Sequence, residues 1–394
     1  MALPQTADVV IIGGGIIGVS IAYHLAQRNV DRIVVLERST LGSGSTGRSV
    51  ASIDLFALLP AAMQLQVKAY EIFAHFEEQF GTSCGLVKTG FAVLGGPEHV
   101  ADLQEGVAVT KSVGVDIQWL TPSDFANLEP TANVDDLATV AYVATAGYAD
   151  PVLTLNAYVA AARRQHVHIA QGHAVTGIVQ QHGRVTGVTT KTATISTPVA
   201  VCAAGPWSAR FLTPLGLDDL GLYVMRHPVI VMKGQNEQQT IRHSMIDQRN
   251  DIYARPENGG QTLAGSITPD VGYRIVEPED GERRVTAEDQ YWCAERLVQR
   301  YPALATAGLH PGWTGLLSIS PDWQPVLGAH PDLKGFYCAT GFSGQGFKVS
   351  PAVGDLMAGL LVGEAEAAAQ LMPFRPSRFR ENAPLSAGRM LAFS

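Results

Sequence analysis

The chain has 394 residues, 46% hydrophobic and 16% charged, with 40 glycines and a formal net charge of −8. That length exceeds one ordinary core, so two domains are expected; the acidic balance argues against nucleic acid as a partner, and neither a membrane span nor a signal pattern is visible. Four scattered cysteines, Cys84, Cys202, Cys293 and Cys338, form no C-x-x-C, so the expectation is a reduced, cytoplasmic protein without a metal centre or disulfide framework.

Val9-Val10-Ile11-Ile12 is an all-apolar run suited to a strand buried on both faces. Gly13-Gly14-Gly15-Ile16-Ile17-Gly18 follows at once and places Gly13, Gly15 and Gly18 in a G-x-G-x-x-G pattern. The first glycine permits a tight turn, the second lets the backbone approach a pyrophosphate, and the third lets helix and strand pack closely. Ile17, Ile21 and Leu25 then share a helix face, and that helix directs the positive end of its dipole towards the phosphates. A second buried strand, Ile33 to Leu36, ends in Glu37, placed to accept hydrogen bonds from an adenosine ribose. Strand, glycines, helix, strand and acid in this order favour nucleotide binding over a plain βαβ unit.

Leu41 to Ser49 is rich in glycine and hydroxyls and suits a loop beside a ligand, an ordinary surface loop being the alternative. An amphipathic helix is expected over Ala61 to Phe80, then short strands at Gly90 to Leu94 and Asp116 to Leu120. Thr121-Pro122 and Asp150-Pro151 read as helix N-caps followed by proline. Strands are expected at Ala174 to Val179, Val185 to Thr189 and Val199 to Ala203, the last running into Ala204-Gly205-Pro206-Trp207. Alternating patterns return at Tyr223 to Met232, Asp251 to Arg255 and Gln261 to Ile267, and a charged helix spans about Thr286 to Tyr301. Phe336 to Ala339 is strand-like, Gly341 to Phe347 is a glycine loop, and a helix is expected to start near Ser350-Pro351. His166 and His168 alternate on a strand, where ordinary surface residues are favoured over a metal site.

Four separated blocks, Gly13 to Glu37, Ser45 to Ser49, Val201 to Ser208 and Pro321 to Asp355, together resemble the FAD-dependent amine and amino-acid oxidases of the D-amino-acid oxidase, glycine oxidase and sarcosine oxidase type, most closely the sarcosine oxidase β-subunit group. The resemblance implies an α/β fold: a Rossmann-like FAD-binding domain (1–84, 147–217 and 321–375), an inserted α+β substrate domain on a mixed or antiparallel sheet (85–146 and 218–320), and a tail over 376–394. It implies FAD contacts at Gly13, Gly15, Ile16, Ile17, Gly18, Glu37 and Arg38, at Ser45, Thr46, Gly47, Arg48 and Ser49, at Val175, Ala204, Gly205 and Trp207, and at Gly344, Gln345, Gly346, Phe347 and Lys348. Lys348 occupies the position of a lysine that holds the substrate carboxylate, Arg48 that of an arginine beside the flavin, and Tyr253 and Arg255 lie on a strand that lines the substrate pocket. A solvated Lys348, and plain packing for the other three, are the alternatives.

Three departures from the family pattern carry expectations. Gly315 replaces the cysteine of flavinylated members, and Ser45 to Ser49 contains no histidine, so FAD is expected to be non-covalent. Leu316-Leu317-Ser318 offers no carboxylate-binding arginine, which shifts the substrate from a primary α-amino acid towards a secondary amine such as an N-substituted glycine, or a cyclic imino acid. Leu263-Ala264 offers no oxygen-activating lysine. The implied reaction is hydride transfer from the carbon beside nitrogen to flavin N5, giving an imine that hydrolyses. A flavin-bearing subunit that passes electrons to a partner, or less favoured a tRNA-modifying enzyme, are the alternatives, and a homo-oligomer is compatible with either.

Overall fold

The computed structural model describes residues 3–268, 274–279 and 284–385. A six-stranded sheet carries the opening unit: Val326–Ala329, Phe336–Thr340, Ala200–Cys202, Val9–Ile12, Ile33–Leu36 and His168–Ala170, side by side in that order. All neighbours are parallel except the first pair. The continuous apolar runs have a direct cause: Val9, Ile11, Ile33 and Val35 enter one core with the helices, while Val10, Val34, Leu36 and Cys202 enter a second core beneath the three-stranded meander Val175–Gln181, Arg184–Thr190 and Thr194–Ser196.

On the first face the opening helix Ile16–Gln27 crosses the closing helix Gly346–Val362 at Gly354, where a Cβ would come within 2.0 Å of Ser20 Oγ. The closing helix begins four residues before the expected Ser350, and Pro351 lies inside it. Proline has no N–H to give the Phe347 carbonyl, and the Ser350 hydroxyl donates to that carbonyl instead, at 2.8 Å. The expected 61–80 helix is two, Pro60–Ala74 and Phe76–Phe80, parted at His75, whose N–H and ring Nδ1 both meet the Glu71 carbonyl. Phe76 and Phe80 then stack at 4.2 Å and pack edge-on to Tyr158.

The second assembly is a mixed nine-stranded sheet. Its strands, Phe91–Gly95, Gln118–Leu120, Thr139–Val143, Tyr223–Lys233, Ser244–Asp247, Ile252–Glu257, Gln261–Ser266, Arg274–Ile275 and Gly308–Ile319, pair antiparallel except where Ser244–Asp247 meets Phe91–Gly95. Thr121 and Asp150 cap helices as the sequence suggests: Thr121 exchanges hydrogen bonds with Asp124, and the Asp150 carboxylate accepts from Val152 and Leu153 N–H at 2.7 and 2.8 Å. The helix Ala287–Arg300 carries a Thr286–Asp289 capping box and packs on this sheet through Cys293 and Leu297. Within the tail, Arg378 is buried and its guanidinium pairs with Asp322 at 2.8 Å; residues 386–394 lie outside the described residues. Among the described residues no helix is long and apolar enough to cross a membrane.

Candidate active site

A cavity of about 750 Å³ runs from the glycine loop of the six-stranded sheet to the inner face of the nine-stranded one. At its first end the turn after Val9–Ile12 is forced: Gly13 has φ +117, and a Cβ there would lie 2.3 Å from the Ala203 carbonyl oxygen. A Cβ on Gly15 would meet only Thr46 Oγ1, at 3.2 Å, so this glycine leaves room for a ligand on the cavity wall. Glu37 is set rigidly, its two carboxylate oxygens accepting from Gly14 and Ser39 N–H at 2.8 Å each. Thr46 Oγ1 accepts from the Ile16 N–H at 3.1 Å, which fastens the 41–49 loop to the start of the opening helix. Ser45 Oγ donates to the Leu316 carbonyl at 2.6 Å and ties the same loop to the other sheet.

Of the residues expected to hold a cofactor, Gly13, Gly15, Ile16, Ile17, Glu37, Arg38, Ser45, Thr46, Arg48, Ser49, Val175, Ala204, Gly205, Trp207, Gly344, Gly346, Phe347 and Lys348 all line this cavity. Three do not. Gly18 serves packing, since a Cβ would lie 2.1 Å from the Gly13 carbonyl oxygen; Gly47 lies against the Gly42 carbonyl; Gln345 is buried at the start of the closing helix and donates to the Trp323 carbonyl. At the outer end the Arg38 guanidinium stacks 3.8 Å over Trp207. Glu279 bridges Arg38, Arg210 and the Trp207 indole N–H.

Lys348, Arg48 and Tyr253 line the cavity towards its inner end. Lys348 is the third residue of the closing helix, so that helix directs its N-terminus into the cavity. Its ammonium lies 2.7 and 2.9 Å from the two carboxylate oxygens of Asp54, and both residues are 6% exposed in their side chains. The solvated alternative for Lys348 is therefore wrong. Arg48 turns its guanidinium back onto the carbonyls of Ser43 and Gly44. Tyr253 reaches the cavity and Arg255 does not: the latter donates to the Val50 carbonyl at 2.6 Å, pairs with Glu257 and lies 3.9 Å over the Tyr148 ring. Two residues along a strand share a face, but here the loop at Val50 covers the second of them.

Asp54 and His227 are functional candidates that the sequence did not single out. His227 Nε2 lies 2.8 Å from the Tyr253 hydroxyl, and both line the cavity. They stand on strands separated by Gln261–Ser266, and they meet across Gly265, where a Cβ would come within 2.5 Å of the Tyr253 oxygen. Gly265→Ala is therefore expected to swing Tyr253 away from His227. Loss of that hydrogen bond should show as a change in the ultraviolet difference spectrum of the tyrosine, and any reaction in the cavity that uses the pair should slow by about tenfold or more, within the range of a positioned acid–base group.

His227 and Tyr253 expose part of their area to the cavity, yet desolvation dominates both. Burial, with Arg226 beside it, pulls the His227 imidazole down to about 4, and burial pushes the Tyr253 phenol well up. His24, on the buried side of the opening helix, is likewise brought to about 4 by burial. Unfolded, these imidazoles take protons near 6.5, so between about pH 4 and 6.5 the unfolded chain binds more protons than the folded one. Stability contributed by the neutral rings is present above that window and is lost as pH falls through it. Thermal unfolding is expected at lower temperature at about pH 5 than at about pH 7, and a His24→Gln/His227→Gln variant should show a flatter profile across that interval.

The family profile described as FAD dependent oxidoreductase (DAO) matches residues 8–360. Mitochondrial sarcosine dehydrogenase of Mus musculus is 27% identical over 374 residues, 91% of this chain but 40% of that protein, so the chain spans well under half of that relative. Glycine oxidase of Geobacillus kaustophilus (strain HTA426) is 27% identical over 383 residues, 94% of this chain and 97% of that protein. Among solved structures, L-proline dehydrogenase from P. horikoshii matches with a TM-score of 0.88 at 25% identity, covering 96% of this chain and 99% of that one. The matched span takes in the glycine loop, Glu37, Asp54 and Lys348 alike, and the chain belongs to the DAO family of FAD-dependent oxidoreductases.

Proposed function

We propose that this protein oxidises the C–N bond of a small amine or amino acid, with a secondary amine such as an N-substituted glycine, or a cyclic imino acid, as the favoured substrate. The observation that carries this reading is a single cavity with a nucleotide cradle at one end and a buried lysine on a helix N-terminus at the other. FAD, bound here, supplies the ring that accepts a hydride from the carbon beside nitrogen. The open Gly15 wall and the fixed Glu37 carboxylate fit its pyrophosphate and ribose. Gly344 and the start of the helix Gly346–Val362 line the cavity and would offer backbone N–H groups and a positive dipole end to the negative charge that a bound flavin takes on when reduced. Lys348 holds the substrate carboxylate, and the neutral His227 with Tyr253 shapes the wall opposite. Leu316 and Leu317 on that wall provide apolar surface and no arginine, which favours a substrate with a substituted nitrogen. None of the four cysteines lies on the cavity wall, in keeping with non-covalent FAD.

Anaerobic mixing of the yellow protein with sarcosine, L-proline, glycine and other N-substituted glycines tests the proposal. Bleaching of the flavin by at least one of them is expected, and no bleaching by any would overturn it. A second reading, in which electrons leave to a partner subunit or other acceptor and not to oxygen, is favoured by Leu263 and Ala264, both buried, where an oxygen-activating lysine would stand. Bleaching without peroxide in air would select it.

A further inference from the structure

Asp54 stands directly after the two-residue strand Ser52–Ile53, which is pinned by pairing with Gly147–Tyr148, and it faces Lys348 across the inner end of the cavity. The acids on the cavity wall are Glu37, Asp54 and Glu279 among the described residues. Glu37 is held by the glycine loop and Glu279 by Arg38 and Trp207, so Asp54 is the carboxylate at the reacting end. The other titratable or charged groups around that end are Arg48, turned onto loop carbonyls, and the His227–Tyr253 pair, bonded to each other.

A lysine already matched by a buried carboxylate poses a charge problem for a substrate acid. An anion that simply joined Lys348 would leave two carboxylates and one ammonium out of water, which a low-dielectric site disfavours. An amino acid in its dipolar form brings its own solution: its carboxylate takes Lys348 while its ammonium takes Asp54, and no net charge enters.

We propose that Asp54 accepts the proton of the substrate ammonium, and that the substrate carboxylate frees it for this task by replacing it on Lys348. This inference rests on the amine-oxidation reading. In the step, one N–H bond breaks and one O–H bond forms on Asp54; the electron pair stays on nitrogen, leaving a neutral amine and a neutral acid. Exchange at Lys348 takes the ammonium away from the Asp54 carboxylate and puts a like charge nearby; in general both changes make a carboxylate accept a proton more readily, and burial makes an ammonium release one. The neutral nitrogen, with its lone pair free, is the form from which FAD, when bound, would be able to take a hydride at the neighbouring carbon. Asp54 touches the substrate in this scheme and is a catalytic residue.

The test uses FAD-loaded protein and two probes. Acetate has the carboxylate and lacks the nitrogen, so it should perturb the flavin spectrum of the wild type only with uptake of about one proton per site. In Asp54→Asn the uptake should vanish and acetate should bind at least about tenfold more tightly, the second anion being gone. Sarcosine and L-proline should bleach the flavin of Asp54→Asn at least about 100-fold more slowly than that of the wild type, the scale of a lost general base, and Asp54→Glu should recover part of that rate. Wild-type rates in Asp54→Asn, acetate binding without proton uptake, or no acetate binding at all would each overturn the proposal. If Asp54→Asn does not hold FAD, proton uptake by the wild type decides alone. If no amine bleaches the wild type, the amine-oxidation reading fails, and the acetate measurement still reports whether a carboxylate displaces Asp54 from Lys348.

Discussion

Gly13→Ala is expected to give a colourless, destabilised protein, whereas Gly15→Ala should fold and fail mainly in holding FAD. The two glycines stand two residues apart in one loop but meet different constraints. At Gly13 the backbone sits at φ +117, and a Cβ would lie 2.3 Å from the Ala203 oxygen and 2.8 Å from its carbonyl carbon. Neither atom can yield without moving the strand Ala200–Cys202 away from Val9–Ile12, its parallel neighbour. Backbone strain of this kind costs about 1–3 kcal/mol, and forced overpacking about as much again. At Gly15 the backbone is extended and the added methyl meets only the Thr46 hydroxyl and the cavity. Its effect falls on the ligand that needs that space. Thermal melting of the two apoproteins, with the ratio of flavin to protein absorbance after reconstitution, separates the outcomes. A yellow Gly13→Ala protein with wild-type melting would show that the glycine turn does not set the fold.

The opening unit was legible because its signals are local. Val9 to Leu36 contains two runs that are apolar without interruption, and the alternate residues of each do enter two separate cores. Spacing within six residues defined the glycine turn. The closing helix begins earlier than Pro351 suggests for a related reason: proline marks helix starts, but here the Ser350 hydroxyl satisfies the carbonyl that proline leaves open. The strand Gly308–Ile319 was concealed by Pro311 and Gly312 in its middle, the latter lying where a Cβ would strike the Val229 carbonyl at 2.1 Å. The chemistry was hardest to see. Asp54 meets Lys348 across 294 positions of sequence, and His227 reaches Tyr253 only because an intervening strand carries Gly265 between them. No pattern near either residue announces its partner. Arg255 illustrates the converse: its strand position suggested the pocket, and Val50 and Tyr148, remote in sequence, took it instead.

Lys348→Met is expected to damage stability and activity together, and adding Asp54→Leu should restore the first without the second. Removing one member of a buried ion pair strands the other as an uncompensated charge, which costs about 3–5 kcal/mol, and here both side chains are 6% exposed. Replacing both by apolar residues of similar size removes the stranded charge, and such exchanges are often neutral or stabilising. Melting temperature should therefore fall in the single variant and return most of the way in the double. Flavin reduction by an amino acid follows different logic, because under the proposed function Lys348 is the cation that anchors the substrate carboxylate, and it is absent from both variants. A buried, hydrogen-bonded charge contact of this type is worth enough that kcat/KM should drop by at least about 100-fold in each. A single variant that melts like the wild type would show that Asp54 finds water or another partner. A double variant that regains turnover would show that Lys348 serves the fold alone, and the substrate carboxylate would then have to be held elsewhere on the cavity wall, which also carries Arg48.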